Sequence, residues 1–400
     1  MRTIWTFHTA SQMRFGWGAA SEVGEVATRL GLRRLLIITD PILERLGIVE
    51  TLSASLRSAG IHHEQFHGGE PEPSLAAVLR ALQAGHDCQP DGIIGLGGGS
   101  NMDMAKIVAT CLAHGGKPTD YAGEDRIPGP ILPLICVPTT SGTGSEVSSA
   151  LVFTDPGAGM KVSCLSQYLR PRAALVDPAL SLTCPAPVTA DSGIDALVHA
   201  IEAFTAVDNA HYALPAGKTS CYQGSNPMAD LAATESIRLC GQFLARAVAD
   251  GTDREAREGM ALAATLGGMA FSNAGVALVH ALEYAVASEV HVSHGAGNGL
   301  LLPHVMRYNL PARASRFARV ATLLGGDTQG LAESDAAALA VTLVEKLTRQ
   351  IGIPLRLRDL GMQPEQMARA APRAGIERLW RVNPRRPSAG EVLEILQNAW

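Results

Sequence analysis

Basic stripes are absent from this 400-residue chain: its Lys and Arg residues are scattered, the net charge is −5 and the pI is near 6.2. A phosphate backbone or an anionic membrane needs clustered positive charge, so nucleic-acid and membrane partners are excluded. No apolar run reaches the roughly 18 residues of a spanning helix. The opening MRTIWTFHTASQMRFGWG also lacks a sustained apolar segment of signal-peptide type. A soluble, cytoplasmic protein is the expectation. The seven cysteines, at 88, 111, 136, 164, 184, 221 and 240, are odd in number and contain no C-x-x-C pair. That argues against a disulfide framework and against a thiolate zinc site, leaving ordinary thiols. Internal repeats and low-complexity tracts are missing too.

What is present is a large apolar content, 46%, enough for a sizeable core split between two domains. The first part alternates β-rich runs with helical patterns: Leu35 to Thr39, an amphipathic stretch Ile42 to Ser58, Ile93 to Leu96, Met104 to Ala113, then Ile131 to Val137. Such alternation predicts a parallel sheet covered by helices. From about Thr189 the texture becomes helical, with long patterns at Met228 to Asp250, Arg254 to Ser272 and Ala336 to Ile351. Pro185-Ala186-Pro187 interrupts the pattern ahead of a helix with Thr189 or Asp191 as its cap. The expected organisation is an α/β nucleotide-binding domain over 1–187 and an all-α domain over 188–400. A polar segment from Thr205 to Pro227, carrying Pro215, Gly217 and Gly224, is too long for an ordinary connection and reads as functional or mobile.

Asp91-Gly92-Ile93-Ile94-Gly95-Leu96-Gly97-Gly98-Gly99-Ser100 runs from a strand through glycines into a helix start. Glycines there let backbone N–H groups approach a pyrophosphate, which the positive end of the helix also attracts. Ser100 replaces the last glycine of the usual fingerprint, so a plain tight turn has much the same sequence. A second loop, Pro138-Thr139-Thr140-Ser141-Gly142-Thr143-Gly144-Ser145-Glu146, offers hydroxyls and N–H groups suited to phosphate and ribose oxygens. Asp40 ends a strand where a carboxylate can accept from ribose hydroxyls and repel the extra phosphate of NADP, although an Asp before Pro41 equally suits a turn.

In the second half, Asp195 and His199 stand four residues apart, on one face of a helix. His280 lies in an apolar helical run where an unpaired imidazole is costly, and His294 follows on a glycine-rich turn, His294-Gly295-Ala296-Gly297. One carboxylate and three imidazoles would make a nitrogen–oxygen site for Fe(II), Zn(II) or a neighbouring metal. Glu202 and His291 compete as ligands.

Jointly, Gly97-Gly98-Gly99-Ser100 with Asp103 and Lys106, the Pro138 to Ser148 loop, Asp195 with His199, and His280 with His294 resemble the iron-containing (group III) alcohol dehydrogenases over nearly the whole chain. That resemblance implies a dehydroquinate synthase-like architecture, with an α/β nucleotide domain, a helical domain and a cleft between them. It implies metal ligands at Asp195, His199, His280 and His294, displacing Glu202 and His291. Cofactor contacts fall on Asp40, Gly97, Gly98, Gly99, Ser100, Asp103, Thr139, Thr140, Ser145 and Lys161, with NAD favoured over NADP by Asp40. The implied activity is metal-dependent, NAD-linked hydride transfer between a small alcohol or hydroxy acid and its carbonyl partner, by a homodimer or larger homo-oligomer. Two departures stand out. Tyr284 occupies the position where many relatives have a second histidine near the nicotinamide, making it the candidate proton relay. The segment ending Tyr222-Gln223-Gly224-Ser225-Asn226-Pro227 is the other. Both features look like the hydroxyacid–oxoacid transhydrogenase branch, an alternative that would retain its NAD. A dehydroquinate synthase-like lyase is a further rival, disfavoured by the apolar surroundings of the proposed ligands. Glu72 replaces an Asn common beside the cofactor, which leaves that contact open.

Overall fold

The apolar runs of the first half become the inner strands of a parallel sheet. The computed structural model describes residues 2–155, 160–214, 217 and 219–400. Its described strands are β1 (Met13–Phe15), β2 (Arg34–Ile38), β3 (His62–Phe66), β4 (Gly92–Gly97), β5 (Gly123–Glu124), β6 (Leu134–Pro138), β7 (Ala150–Asp155), β8 (Met160–Leu165) and β9 (Ala173–Val176). Six of them form one all-parallel sheet in the order β1-β9-β6-β4-β2-β3, and the rest a small sheet, β5-β8-β7, in which β7 and β8 are antiparallel. Strands β4, β6 and β9 are buried along their whole length, as continuous apolar runs in a helix-covered sheet should be. At the sheet edge β3 reads His-His-Glu-Gln-Phe and is largely exposed, so its sequence carries no apolar signal.

Helices α1 (Val23–Arg29), α2 (Pro41–Arg45), α3 (Ile48–Ser58), α4 (Leu75–Cys88) and α5 (Gly99–His114) flank this sheet. The single amphipathic stretch expected over 42–58 is two helices, because Gly47 takes φ 73° and turns the chain between them. The second half contains α6 (Ala186–Thr205), α7 (Pro227–Ala249), α8 (Arg254–Ala274), α9 (Leu278–Ala287), α10 (His294–Leu323), α11 (Glu333–Gln350), α12 (Pro364–Arg373), α13 (Glu377–Trp380) and α14 (Ala389–Asn398). The α/β class followed by helices is therefore the observed one.

Neither Thr189 nor Asp191 caps α6. Pro185 is the N-cap residue and the helix starts at Ala186, with Pro187 in its first turn, where proline's fixed φ and missing N–H are tolerated. Both residues lie inside the helix. Thr189 accepts from Arg257 Nη1 at 2.8 Å, and the Asp191 carboxylate accepts from the Ser293 hydroxyl. In the 205–227 segment Pro215 lies outside the described residues. The described part is anchored rather than loose: Asp208 bridges Ser225, Gln223 N donates to Asn273 O at 2.9 Å, and Arg313 Nη1 reaches Asp208 at 3.0 Å.

Glycines allow the two halves to meet closely. A Cβ on Gly268 of α8 would lie 2.7 Å from Gly144 Cα in the hydroxyl loop, and a Cβ on Gly295 would lie 1.9 Å from the Asp191 carbonyl. Gly295 thus lets the first turn of α10 seat against α6. Gly295→Ala is expected to lower stability by about 1–3 kcal/mol through overpacking, read as a lower urea midpoint. An unchanged midpoint would show that α6 and α10 do not approach this closely.

Candidate metal and cofactor cleft

Three helices deliver the metal-type donors. From Gly193 to Thr205 every residue of α6 is buried, so Asp195 and His199, one turn apart, face protein. His199 Nε2 lies 3.7 Å from Asp195 Oδ2, while His280 Nε2 from α9 and His294 Nε2 from α10 lie 3.8 and 4.0 Å from Asp195 Oδ1. Donor atoms of Asp195, His280 and His294 lie within 4.8 Å of one another, and His199 meets the same carboxylate on its other oxygen. The four predicted ligands are together.

Each imidazole is also held from behind or beside. His280 Nδ1 sits 2.6 Å from Glu202 Oε2, and the same carboxylate accepts from Ala277 N at 2.9 Å and Val279 N at 2.7 Å. Glu202 therefore satisfies the buried N–H groups at the start of α9 and orients His280. His294 Nδ1 sits 2.6 Å from Glu283 Oε2. With a carboxylate on Nδ1 the proton resides there, and the Nε2 lone pair points inward. His199 is fixed by stacking on Phe271, with ring centroids 4.2 Å apart. Asn298, one turn beyond His294, donates Nδ2 to Asp195 Oδ1 at 2.8 Å. His291 is exposed and outside the cluster.

Burial drives His199 down to about 3, so it stays a neutral donor. Burial would raise the Asp195 carboxyl, but His199, His294 and His280 outweigh it and hold it below its ordinary value. Burial likewise opposes protonation of His294, yet Glu283 and Asp195 together raise its pKa. Inward lone pairs beside an ionised buried carboxylate fit a divalent cation with nitrogen and oxygen preferences.

These donors form one wall of a cleft of about 890 Å³, open solvent included, whose other wall carries Gly99, Ser100, Asp103 and Ser145. Gly99 has to be glycine: a Cβ there would lie 2.7 Å from Thr143 Cγ2 in the hydroxyl loop. Under that loop, fully buried Lys106 donates to Ser145 Oγ (2.8 Å), Ser148 Oγ (3.1 Å) and Ala150 O (2.7 Å). Ser145 in turn donates to Asp103 at 2.7 Å. Lys161 lies 3.0 Å from Glu72 and 3.3 Å from Glu283, with its ammonium 5.8 Å from the centre of the Tyr284 ring. Tyr284 stacks on His294 at 5.9 Å, and burial pushes its phenol up to about 12.

Some predicted cofactor residues lie elsewhere. Thr139 and Thr140 line a smaller cavity of about 260 Å³ with Glu146 and Asp177. Asp40 lines neither cavity: it caps α2 by accepting from Ile42 N (2.9 Å) and Leu43 N (3.1 Å), and accepts from Asn101 at 2.8 Å. The roles of Glu283 and Asn298 were not read from sequence; an acidic residue inside the apolar run of α9 was the available signal for the first.

Among family descriptions, "Iron-containing alcohol dehydrogenase" matches residues 10–178, and "Fe-containing alcohol dehydrogenase family, C-terminal" matches 220–400. This chain belongs to the iron-containing alcohol dehydrogenase family. It is 38% identical over 388 residues to a 1,3-propanediol dehydrogenase of Citrobacter freundii, covering 96% of each chain. With the NAD-dependent methanol dehydrogenase of Bacillus methanolicus it shares 34% over 384 residues, covering 96% of this chain and 97% of that one. The crystal structure of a 1,3-propanediol oxidoreductase superposes with a TM-score of 0.93 at 36% identity, over 99% of this chain and all of the other.

Two measurements follow from the cluster. Glu202→Gln should weaken binding of Zn(II) or Fe(II) about 10- to 100-fold in chelator competition, with helical content retained; unchanged affinity would show that His280 does not rely on Glu202. In ion-free protein His294 must lose its extra proton before its Nε2 can accept a cation. Affinity should therefore rise with pH through the His294 titration, with proton release detectable by indicator dye, while neutral His199 contributes none. Affinity that does not change with pH would contradict this.

Proposed function

We propose that this protein is a metal-dependent, NAD-linked alcohol dehydrogenase and aldehyde reductase acting on small alcohols and their carbonyl partners. One observation carries the reading: three imidazoles and Asp195 converge on the wall of a cleft whose opposite wall is a glycine-rich strand–helix turn. Relatives named NAD-dependent methanol dehydrogenase and 1,3-propanediol dehydrogenase support it. So does a sulfoacetaldehyde reductase from Bifidobacterium kashiwanohense solved with NAD+, which superposes with a TM-score of 0.85 at 26% identity.

Asp195, His199, His280 and His294 would hold Fe(II) or Zn(II); such an ion, when bound, supplies Lewis-acid stabilisation of the charge developing on the alcohol oxygen. Gly97, Gly98, Gly99 and Ser100, at the start of α5, would bind the pyrophosphate of NAD. Asp103, Ser145 and Lys161 would position its nicotinamide end, and Thr139 and Thr140 would contact it from the neighbouring cavity. Asp40 would disfavour a 2′-phosphate by its charge. Phe271 and Val276 help keep the cleft dry, which strengthens electrostatic interactions inside it. Tyr284, protonated at neutral pH, can donate and accept one hydrogen bond and so pass a proton outward. Residues 1–187 serve as the nucleotide-binding domain and 188–400 as the metal and substrate domain.

Protein stripped with chelator and reloaded with Fe(II) or Zn(II) should form NADH from NAD and short alcohols, and His280→Ala should abolish it. Turnover that survives both chelation and His280→Ala would overturn the metal site. Hydroxy-acid consumption that depends on an added oxo acid, without net NADH, would move the assignment to a transhydrogenase.

A further inference from the structure

The polar segment ahead of α7 delivers one side chain to the cleft. Tyr222, 3% exposed, lines it together with Phe271, Val276 and Tyr284. The backbone on both sides of Tyr222 is held. Its own N–H donates to Ser220 Oγ at 3.1 Å, and Ser220 donates to Glu124 at 2.7 Å, which ties the segment to β5. Just beyond, Gln223 N and Gly224 N donate to Asn273 O and Ala274 O, each at 2.9 Å, at the end of α8. The Gln223 amide also accepts from Thr6 N at 3.0 Å and donates to Thr6 O at 3.2 Å. A ring carried on a backbone fixed at this many points acts as a wall, not a lid.

The turn between α8 and α9 shows where that wall stands. Gly275, at φ 116°, lies against the Tyr222 ring: a Cβ there would lie 3.0 Å from Tyr222 Cγ and 2.6 Å from Val382 Cγ2. Gly275 N donates to Phe271 O at 2.7 Å, so Tyr222 packs one helical turn beyond Phe271, and Phe271 stacks on the donor His199. On the other side the Tyr222 phenol is close enough to Tyr284 for each to bear on the other's charge, and Tyr284 stacks on the donor His294. Burial raises the Tyr222 phenol, so the ring is uncharged at neutral pH. Three aromatic rings thus follow the donor cluster: two rest on its histidines, and Tyr222 stands behind them with Val276. A carbon chain leaving the donor cluster on this side passes Phe271 and Tyr284 and then meets Tyr222.

We propose that the ring of Tyr222 closes the substrate end of the cleft and restricts the enzyme to short primary alcohols, excluding longer chains by volume. This rests on the dehydrogenase reading. The chemistry is unchanged: the carbinol carbon gives a hydride to NAD and the hydroxyl proton leaves to solvent. Tyr222 is a specificity residue, and the segment absent from the commoner family pattern is what places it.

The test compares 1-propanol with 1-hexanol as substrates for NAD-dependent oxidation by metal-loaded enzyme. Wild-type enzyme should favour 1-propanol by about tenfold or more in kcat/KM, the least expected for methylenes that a pocket has no room for. In Tyr222→Ala that ratio should fall toward one, mainly through a lower KM for 1-hexanol, with Tyr222→Leu in between. Tyr222→Phe, which keeps the ring and loses only the hydroxyl, should keep the wild-type ratio. A crystal structure with 1-propanol bound should show its methyl end directed at the Tyr222 ring. A wild-type enzyme indifferent to chain length would overturn the assignment of Tyr222. So would Tyr222→Ala and Tyr222→Leu enzymes that slow on both alcohols in equal proportion, the mark of a packing role alone, or a ratio that already collapses in Tyr222→Phe. Failure to oxidise either alcohol, with metal and NAD present, would instead remove the dehydrogenase reading and this inference with it.

Discussion

Three carboxylates are buried in the helical half, Asp195, Glu202 and Glu283, at 2%, 4% and 0% exposure, and the packing around the cleft is arranged to satisfy them. An isolated buried carboxylate is too costly to persist ionised, so each needs donors close by. Glu202 finds them in two backbone N–H groups at the start of α9 and in His280. Glu283 finds His294 and Lys161, and Asp195 finds Asn298 and the open side of three imidazoles. The bonds that set α6, α9 and α10 against one another are thus the bonds that aim the histidines. Helix packing and donor geometry are one construction.

The same economy operates across the cleft. Lys106 has no exposure, yet it meets acceptors from Ser145, Ser148 and Ala150. It ties the hydroxyl loop to α5 and sets the opening of β7, so the wall carrying Ser145 and the wall carrying Lys161 share one buried cation as their support. Close backbone contact at Gly144 and Gly268 brings the helical half against that loop. A cleft with both walls braced in this way holds ligand and cofactor sites at a set separation, which is what hydride transfer requires of the protein.

Much of this was readable in the sequence because buried polar residues in apolar helices have few explanations. His280 in Val279-His280-Ala281-Leu282 stood out on that ground, whereas Asp195 with His199 at helical spacing had an equally ready reading as a surface or capping pair and was assigned to the ligand set by the family resemblance; the structure brings all three together. The strands β4 and β6 were legible as unbroken apolar runs, whereas edge strand β3 and the β7–β8 hairpin were not, their stability coming from neighbours distant in sequence. Glu202 could be read only as a possible ligand. Its actual partners, the N–H groups of Ala277 and Val279, lie more than seventy residues away. Asp40 had two readings, and its capping bonds to Ile42 and Leu43 realise the local one.

Two of the three departures from the commoner family pattern, Tyr284 and Glu72, meet at a single place. Glu72, held at φ 49°, reaches Lys161; Lys161 reaches Glu283 and lies over Tyr284; Glu283 and Tyr284 both contact His294. Replacing a histidine by Tyr284 removes a group that would titrate near neutral pH, since burial places the phenol at about 12. Replacing an amide by Glu72 adds a second carboxylate beside Lys161, which also pairs with Glu283.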